Sequence, residues 1–525
     1  MGLAQLHSRA LLGLQAPVVT VEVHLANGLP SFSLVGLAEV EVREARERVR
    51  SAILNSGLEF PANKRIIVNL APADLPKDSG RFDLPIALGI LTASGQLDSA
   101  RLHDFAFAGE LSLSGALRPV RGALPMALAA HGAAQEPGPI DAATPWVLPP
   151  GSAEEAALVP GCTVYRAEHL LDVVDFFRPS GASDAGAAEA AENAASGWQR
   201  LPQADAAGQE PPRYPDMADV KGLPVVRRAL EIAAAGGHHV LMVGPPGAGK
   251  SMLAQRFAGL LPPLETADAL QSAAMASLGG RFQWSQWRQR PVRSPHHTAS
   301  AVALVGGGTP PKPGDISLAH QGVLFLDELP HFPRAALEAL REPLETGSVH
   351  ISRAARQAEF PARFQLIAAM NPCPCGYWGS STRPCRCTPD QVARYQGRLS
   401  GPLLDRIDIH IEVPSLTPQE LLEAQPGEDS ASIQRRVIAA RTSAQARQGC
   451  SNHLLEGQAL QQQAQLDGPA SEFLYQAAQK MAWSARAMHR VMRVARSIAD
   501  LDGAEAVARR HIAEAAQYRR ALTVT

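Results

Sequence analysis

Gly244-Pro245-Pro246-Gly247-Ala248-Gly249-Lys250-Ser251 is the stretch that decides the fold, because it fits G-x-x-x-x-G-K-S in the right surroundings. The apolar run Val240–Val243 precedes it and a helical pattern follows it. A glycine-rich turn between a buried strand and a helix lets backbone N–H groups wrap a polyphosphate, whose charge the helix N-terminus favours. In that frame the octet cradles ATP, Lys250 reaches its β and γ phosphates, and Ser251 ligates Mg2+.

Further strands extend the pattern. Val323-Leu324-Phe325-Leu326-Asp327-Glu328 is a buried run ending in two carboxylates. Asp327 is placed to hold the magnesium shell and Glu328 to polarise an attacking water. Residues 364–370 form another apolar run, and Asn371 at its tip suits a sensor of the γ-phosphate, or a simple turn. Arg406, in Ser400-Gly-Pro-Leu-Leu-Asp-Arg-Ile-Asp408, suits a finger reaching into a neighbouring subunit's site, or a local ion pair with Asp405 or Asp408. Arg486 stands in a basic helical stretch, either as a second phosphate sensor or as a solvated side chain. Buried strands alternating with helices predict an α/β fold with a parallel sheet and crossover helices over residues 213–415. Residues 416–525 read as a helical lid.

The chain has 525 residues, more than one hydrophobic core organises, so two or three domains are expected. Residues 1–177 mix period-two runs with helical periods and form an α/β domain, and residues 178–212, rich in Ala, Gly, Ser and Pro, form a flexible linker. A net charge of −2 means that any nucleic-acid affinity comes from a local patch. No apolar run approaches the roughly 18 residues of a membrane span, and the N-terminus lacks a basic region and a cleavage site, so a cytoplasmic protein with no membrane partner is expected. Four of the 6 cysteines form two C-x-C pairs, Cys373 with Cys375 and Cys385 with Cys387. Four thiolates make a closed structural Zn2+ site; reduced loop cysteines are the alternative. Residues 349–360, with Arg353 and Arg356 around a short turn, read as a hairpin. In residues 281–297 Trp284 and Trp287 alternate with arginines, a pattern that fits buried tryptophans better than stacking on DNA.

These motifs resemble the YifB/ComM family of magnesium-chelatase-like AAA+ ATPases. The resemblance rests on GPPGAGKS at 244–251, RSPHHTAS at 293–300, GDISLAH at 314–320, GVLFLDELPHF at 322–332, ARFQLIAAMNPCPCG at 362–376, SGPLLDRIDIHIEV at 400–413 and SARAMHRVMRVARSIADL at 484–501, and extends through residues 32–57. It implies an AAA+ core with a helical lid and a homo-hexameric, ATP-dependent DNA helicase similar to the MCM branch. Such a motor promotes branch migration on single-stranded or branched DNA during recombination in natural transformation, beside a recombinase. In such helicases a hairpin before the sensor points into the ring's pore, so Arg353 and Arg356 would contact DNA phosphates. Residues 1–177 also resemble the Lon-type protease domain, but Ala123-Leu-Pro-Met126 stands where a catalytic Lys belongs, so the dyad reads as lost although Ser79 remains. A chelatase-like remodelling ATPase and an ATP-dependent protease are the alternative functions.

Overall fold

The computed structural model describes residues 2–36, 40–75, 77, 80–132, 140–178, 197–203, 214–308, 311–353, 356–380 and 383–519; the side chains of residues 40–43, 353 and 356 lie outside the description. The N-terminal part is built on β1 (Gly2–Arg9), β2 (Val18–Ala26), β3 (Ser31–Val35), β4 (Arg65–Ala71), β5 (Ala106–Phe107), β6 (Trp146–Leu148), β7 (Val164–Arg166) and β8 (Gln199–Arg200). They form one sheet in the order β8-β7-β6-β5-β1-β2-β4-β3. The alternation of VVTVEVHLA sends Val19, Val21, Val23 and Leu25 inward, where α1 (Val40–Asn55) and α2 (Asp83–Ala93) contribute to the same core. At the start of α2, buried Asp83 is gripped by Arg48 at 2.7 and 3.1 Å and accepts from the Leu111 amide at 3.2 Å.

One expectation about the chain's organisation needs correction. Residues 197–203, read as part of a flexible linker, close the edge of the N-terminal sheet: β8 pairs antiparallel with β7, and Trp198 stacks on Phe176 at 4.3 Å and on Tyr165 at 5.1 Å. A single aromatic residue finding an aromatic cluster overrides the composition around it. Residues 179–196 and 204–212 of that segment lie outside the described residues, as does Ser79. Met126 is buried, its sulfur 3.6 Å from Arg81 Nη1.

The second part carries a five-stranded parallel sheet. Its strands are β9 (Val240–Val243), β10 (Val292–Arg293), β11 (Val323–Leu326), β14 (Gln365–Met370) and β15 (Ile409–Glu412), in the order β10-β11-β14-β9-β15. Between β11 and β14 the chain makes the hairpin β12 (Ser348–Arg353) and β13 (Arg356–Pro361). The central strands are apolar throughout because both faces are covered. Flanking helices include α4 (Pro224–Gly236), α5 (Lys250–Phe257) and α6 (Thr266–Leu278), while α3 (Ala123–Gly132) belongs to the N-terminal part. The C-terminal helices are α7 (Ser430–Gln448), α8 (Gly457–Ala464), α9 (Gly468–Lys480), α10 (Ala485–Leu501) and α11 (Arg509–Gln517). Val491, Val494, Ala495 and Ile498 of α10 form an apolar stripe in the core shared with α4 and the sheet. A buried polar chain ties this lid to the sheet: His238 bridges Asp408 at 2.9 Å and Ser497 at 2.8 Å. Asp500 gathers Arg447, Arg496 and Asn452.

The two parts share an apolar interface in which Leu270, Ala273 and Ala274 of α6 join Met126 and Ala127 of α3, with Trp287 packed into the same cluster. Trp284 is exposed, so the two tryptophans of residues 281–297 have different fates. Ser277 Oγ donates to Glu155 Oε2 across the contact at 2.5 Å. Burial, with repulsion from Glu154, pushes Glu155 up to about 7 despite that hydrogen bond. The folded protein therefore holds this proton more tightly than the unfolded chain does. The associated stability is complete in acid and is lost as pH rises from the ordinary carboxylate range through about 7. Glu155→Gln is expected to raise the melting temperature at pH 8 by roughly 2 °C and to leave it unchanged near pH 5, as calorimetry would read.

Candidate functional site

The C-terminal tips of β9, β14 and β11 lie side by side because Val243 is in register with Met370 and Leu326 with Ala368. The residues that follow these strands, Gly244, Asn371 and Asp327, are thereby brought to one edge of the sheet. The turn after β9 needs a left-handed backbone at Gly247 (φ 79°) and Gly249 (φ 88°), a conformation that glycine adopts without a Cβ clash. Helix α5 begins at once, so its free N–H groups face the same cavity, which measures about 390 Å³ and is lined by residues 246–252, Asp327, Glu328, Met370 and Asn371.

Lys250 bridges the strand tips. Its ammonium donates to the carbonyls of Gly244 at 2.7 Å and Pro245 at 2.9 Å and to Asn371 Oδ1 at 3.1 Å. Burial lowers its pKa, against the pull of Asp327 and Glu328. Ser251 Oγ donates to Asp327 Oδ2 at 2.6 Å, so the hydroxyl and carboxylate suited to one hard cation already touch. Asp327 Oδ1 accepts from the Glu328 amide at 2.9 Å. Glu328 itself sits at φ 52°, a strained conformation for a residue with a Cβ, which turns its side chain out of the strand direction.

Two residues given no role in the sequence reading complete this carboxylate's surroundings. Glu328 Oε2 lies 3.2 Å from His297 Nδ1 and 3.3 Å from His331 Nδ1. His331 stands three residues after Glu328 and was visible as a neighbour; His297 comes from the loop after β10 and is brought in only by the sheet. Tyr395, its hydroxyl pushed up to about 12 chiefly by burial, packs edge-on to His331 at 6.0 Å.

The expected arginines are placed elsewhere. Among the described residues no arginine lines the cavity. Arg406 pairs with Glu345 and donates to the Pro402 carbonyl at 2.5 Å; Asp405 is instead held by Arg490 of α10 at 2.6 Å. Arg486 is exposed in the first turn of α10, which Ser484 caps. Arg353 and Arg356 are register partners at the ends of β12 and β13. The inward side of that hairpin, Val349, Ile351, Ala358 and Phe360, is buried.

Cys373, Cys375, Cys385 and Cys387 converge, with all four sulfurs within 4.8 Å of one another and three of their separations at 3.4, 3.5 and 3.6 Å. A tetrahedral Zn–S distance of about 2.3 Å requires S–S edges of roughly 3.8 Å, so the set fits zinc with a small expansion. The Trp378 amide donates to Cys373 Sγ at 3.3 Å and the Cys387 amide to Cys385 Sγ at 3.4 Å, the support thiolate ligands need. The loop leans on the nucleotide turn: a Cβ at Gly376 (φ 86°) would stand 2.5 Å from the Pro246 ring.

Comparison with known proteins agrees along the whole chain. Residues 216–421 match the family described as magnesium chelatase, subunit ChlI; residues 21–136 match subunit ChlI of Mg-chelatase, and residues 427–519 match the ChlI C-terminal family. Competence protein ComM of Haemophilus influenzae is 47% identical over 528 residues, covering 99% of this chain and 98% of that protein. Protein YifB of Salmonella typhimurium is 47% identical over 521 residues, covering 99% and 97%. An MCM-type protein of Methanocaldococcus jannaschii is 25% identical over 170 residues, 30% of this chain and 20% of that protein.

The contact between Gly376 and Pro246 generates a test. Gly376→Ala adds both a left-handed strain and a clash with the nucleotide turn, and is expected to weaken binding of a fluorescent ATP analogue by about tenfold. Gly379→Ala, also left-handed but with nothing within 4 Å of its Cβ, serves as the control and is expected to change affinity far less.

Proposed function

Since the chain belongs to the YifB/ComM family of magnesium-chelatase-like AAA+ ATPases, we propose that it is an ATP-dependent DNA motor, a helicase or translocase that drives branch migration during recombination in natural transformation. The observation that carries the hydrolytic part is the convergence of Lys250, Ser251, Asp327, Glu328 and Asn371 on one cavity. In this reading Lys250 leaves the Gly244 and Pro245 carbonyls for the β and γ phosphates, an exchange of neutral acceptors for anionic ones. Ser251 and Asp327 would hold magnesium, which would supply positive charge against the phosphates. Glu328, released from His297 and His331, orients the attacking water, and Asn371 reports on the γ-phosphate.

That no arginine among the described residues lines the cavity supports a composite site. Arg406 of a neighbouring subunit would complete it, with Arg486 approaching from the lid, which makes a homo-hexameric ring the working unit. DNA enters the proposal through the β12–β13 hairpin with Arg353 and Arg356, through the likeness to an MCM-type protein, and through the competence role in the name of the Haemophilus relative. A cytoplasmic location and a recombinase partner accompany that role. The domain division is 1–177, a linker from 178 whose residues 197–203 dock on the N-terminal sheet, 213–415 and 416–525; the first unit, similar to Lon-type domains, serves as a non-catalytic platform. The chelatase family matches favour a second reading, a protein-remodelling ATPase that needs no DNA.

ATP hydrolysis measured with and without branched DNA, together with unwinding of a labelled branched substrate, separates the two. Stimulation and unwinding that disappear in Lys250→Ala and Glu328→Gln are expected; hydrolysis indifferent to DNA, with no unwinding, would overturn the motor. Metal analysis is expected to find one structural zinc per chain, lost together with DNA-stimulated hydrolysis in the double variant Cys373→Ser and Cys385→Ser. Zinc content unchanged in that variant would remove the four-cysteine site.

A further inference from the structure

A second cavity, open to solvent on one side, lies between α6 and β10. It measures about 400 Å³, close to the nucleotide cavity in size, and is lined by Arg288, Arg290 and Arg293 with Tyr214, Phe282 and Gln255 among others. Among the described residues, none that lines it is an Asp or Glu.

That composition departs from how the molecule treats several other inward-facing arginines, although Arg9 and Arg441 also rest on carbonyl and amide oxygens alone. Arg447 and Arg496 share Asp500, Arg490 meets Asp405, and Arg48 meets Asp83. Buried charge is normally paired in this way. Among the described residues, no carboxylate pairs with Arg288, Arg290 or Arg293 in the second cavity. Arg290 spends its donors on the carbonyls of Pro262 and Gln321, at 2.7 and 2.6 Å. Arg288 donates to the Thr266 hydroxyl at 2.6 Å and keeps a buried Nε with no partner. Arg293 makes one long contact, 3.5 Å to the Leu318 carbonyl. Asp268 and Asp315 reach Arg290 and Arg293 only as weaker, longer-range influences; burial still pushes Arg290 down to about 10 and lowers Arg293, which Arg281 also repels. The backbone adds an independent sign, since Arg288 sits at φ 61°, a conformation that costs energy in a residue with a long side chain and recurs at ligand-binding positions.

We propose that this cavity is a second nucleotide site, in which Arg288 and Arg293 bind a phosphate ester while the nucleoside rests against Phe282 and Tyr214. A guanidinium fork matches phosphate geometry, and the aromatic rings offer faces to a planar base. The Gln255 amide, on the helix that starts at Lys250, is available to a base edge. The site is distinct from the cavity at Lys250, and its occupant would have a structural consequence. Ala269 and Ala273 of α6 line this cavity and also belong to the apolar cluster shared with the N-terminal part. A bound phosphate ester therefore braces the contact between the two parts of the chain.

The test uses the full chain carrying Lys250→Ala, which silences the first site, titrated with ATP, AMP and a 5′-phosphorylated oligothymidylate. A second protein adds Arg288→Gln and Arg293→Gln, leaving Arg290 and its structural hydrogen bonds in place. At least one probe is expected to bind the first protein with Kd below about 1 mM and to lose affinity about tenfold or more in the second. Binding of ATP or AMP identifies a free nucleotide; binding of the oligonucleotide alone identifies a strand terminus carrying the same chemistry. No binding of any probe to the first protein, or equal binding to both, overturns the proposal. If the second protein is misfolded by circular dichroism, Arg293→Gln alone, whose side chain makes only the long contact, is held to the same tenfold criterion.

Discussion

Three parallel strands ending within two residues of one another frame the nucleotide cavity. The register of β9 against β14 and of β14 against β11 puts Gly244, Asn371 and Asp327 at neighbouring positions along one edge, and Lys250 stitches two of those tips together. Backbone hydrogen bonds in a sheet buried on both faces admit little slippage, because a one-residue shift would turn every side chain over. The turn can therefore keep two left-handed glycines, and Glu328 its strained backbone, without losing its place. The lid is fastened to the same frame through His238, which joins Ser497 of α10 to Asp408 beside β15.

Much of this frame is legible in the chain itself. The octet at 244–251, the two acids after Val323–Leu326 and the Asn after Gln365–Met370 are local patterns in which a buried strand runs straight into polar residues, and each reads without knowledge of the rest. The cysteine cluster is equally local, since a loop of 15 residues holds all four sulfurs. What could not be read depends on contacts between distant segments. His297 meets Glu328 only after β10 and β11 pair. Glu345, the partner of Arg406, lies 61 residues away, and the nearer acids Asp405 and Asp408 are taken by Arg490 and His238. Trp198 is a single residue in a segment whose average composition argues for a linker, and its docking depends on rings at Tyr165 and Phe176.

The contacts around the cavity also suggest how its state reaches the rest of the molecule. Gly376 carries the four-cysteine loop onto Pro246, so the nucleotide turn and that loop cannot move independently. On the far side, the turn between β1 and β2 rests on the hairpin: a Cβ at Gly13 would lie 3.4 Å from the Glu359 carbonyl and 3.6 Å from the Phe360 ring. The N-terminal part thus touches the base of the element proposed to meet DNA. In addition, Arg490 ties the lid to Leu404 and Asp405, immediately before Arg406. Arg490 thus links the lid to the segment that carries the proposed finger, and in the proposed ring this contact would offer a route from one nucleotide site to the next.

The central claim is that the cavity at Lys250 is half of a catalytic site and that Arg406 of a neighbour supplies the other half. It is tested most directly by mixing two variants, Glu328→Gln and Arg406→Ala, and measuring ATP hydrolysis across the mixing ratio. Each variant alone is expected to be nearly inactive. In mixed assemblies, intact Glu328 from one protein faces intact Arg406 from the other, so activity should rise to a maximum at intermediate ratios. Activity that stays at the level of the separate proteins at every ratio, in assemblies shown to exchange subunits, would contradict the account.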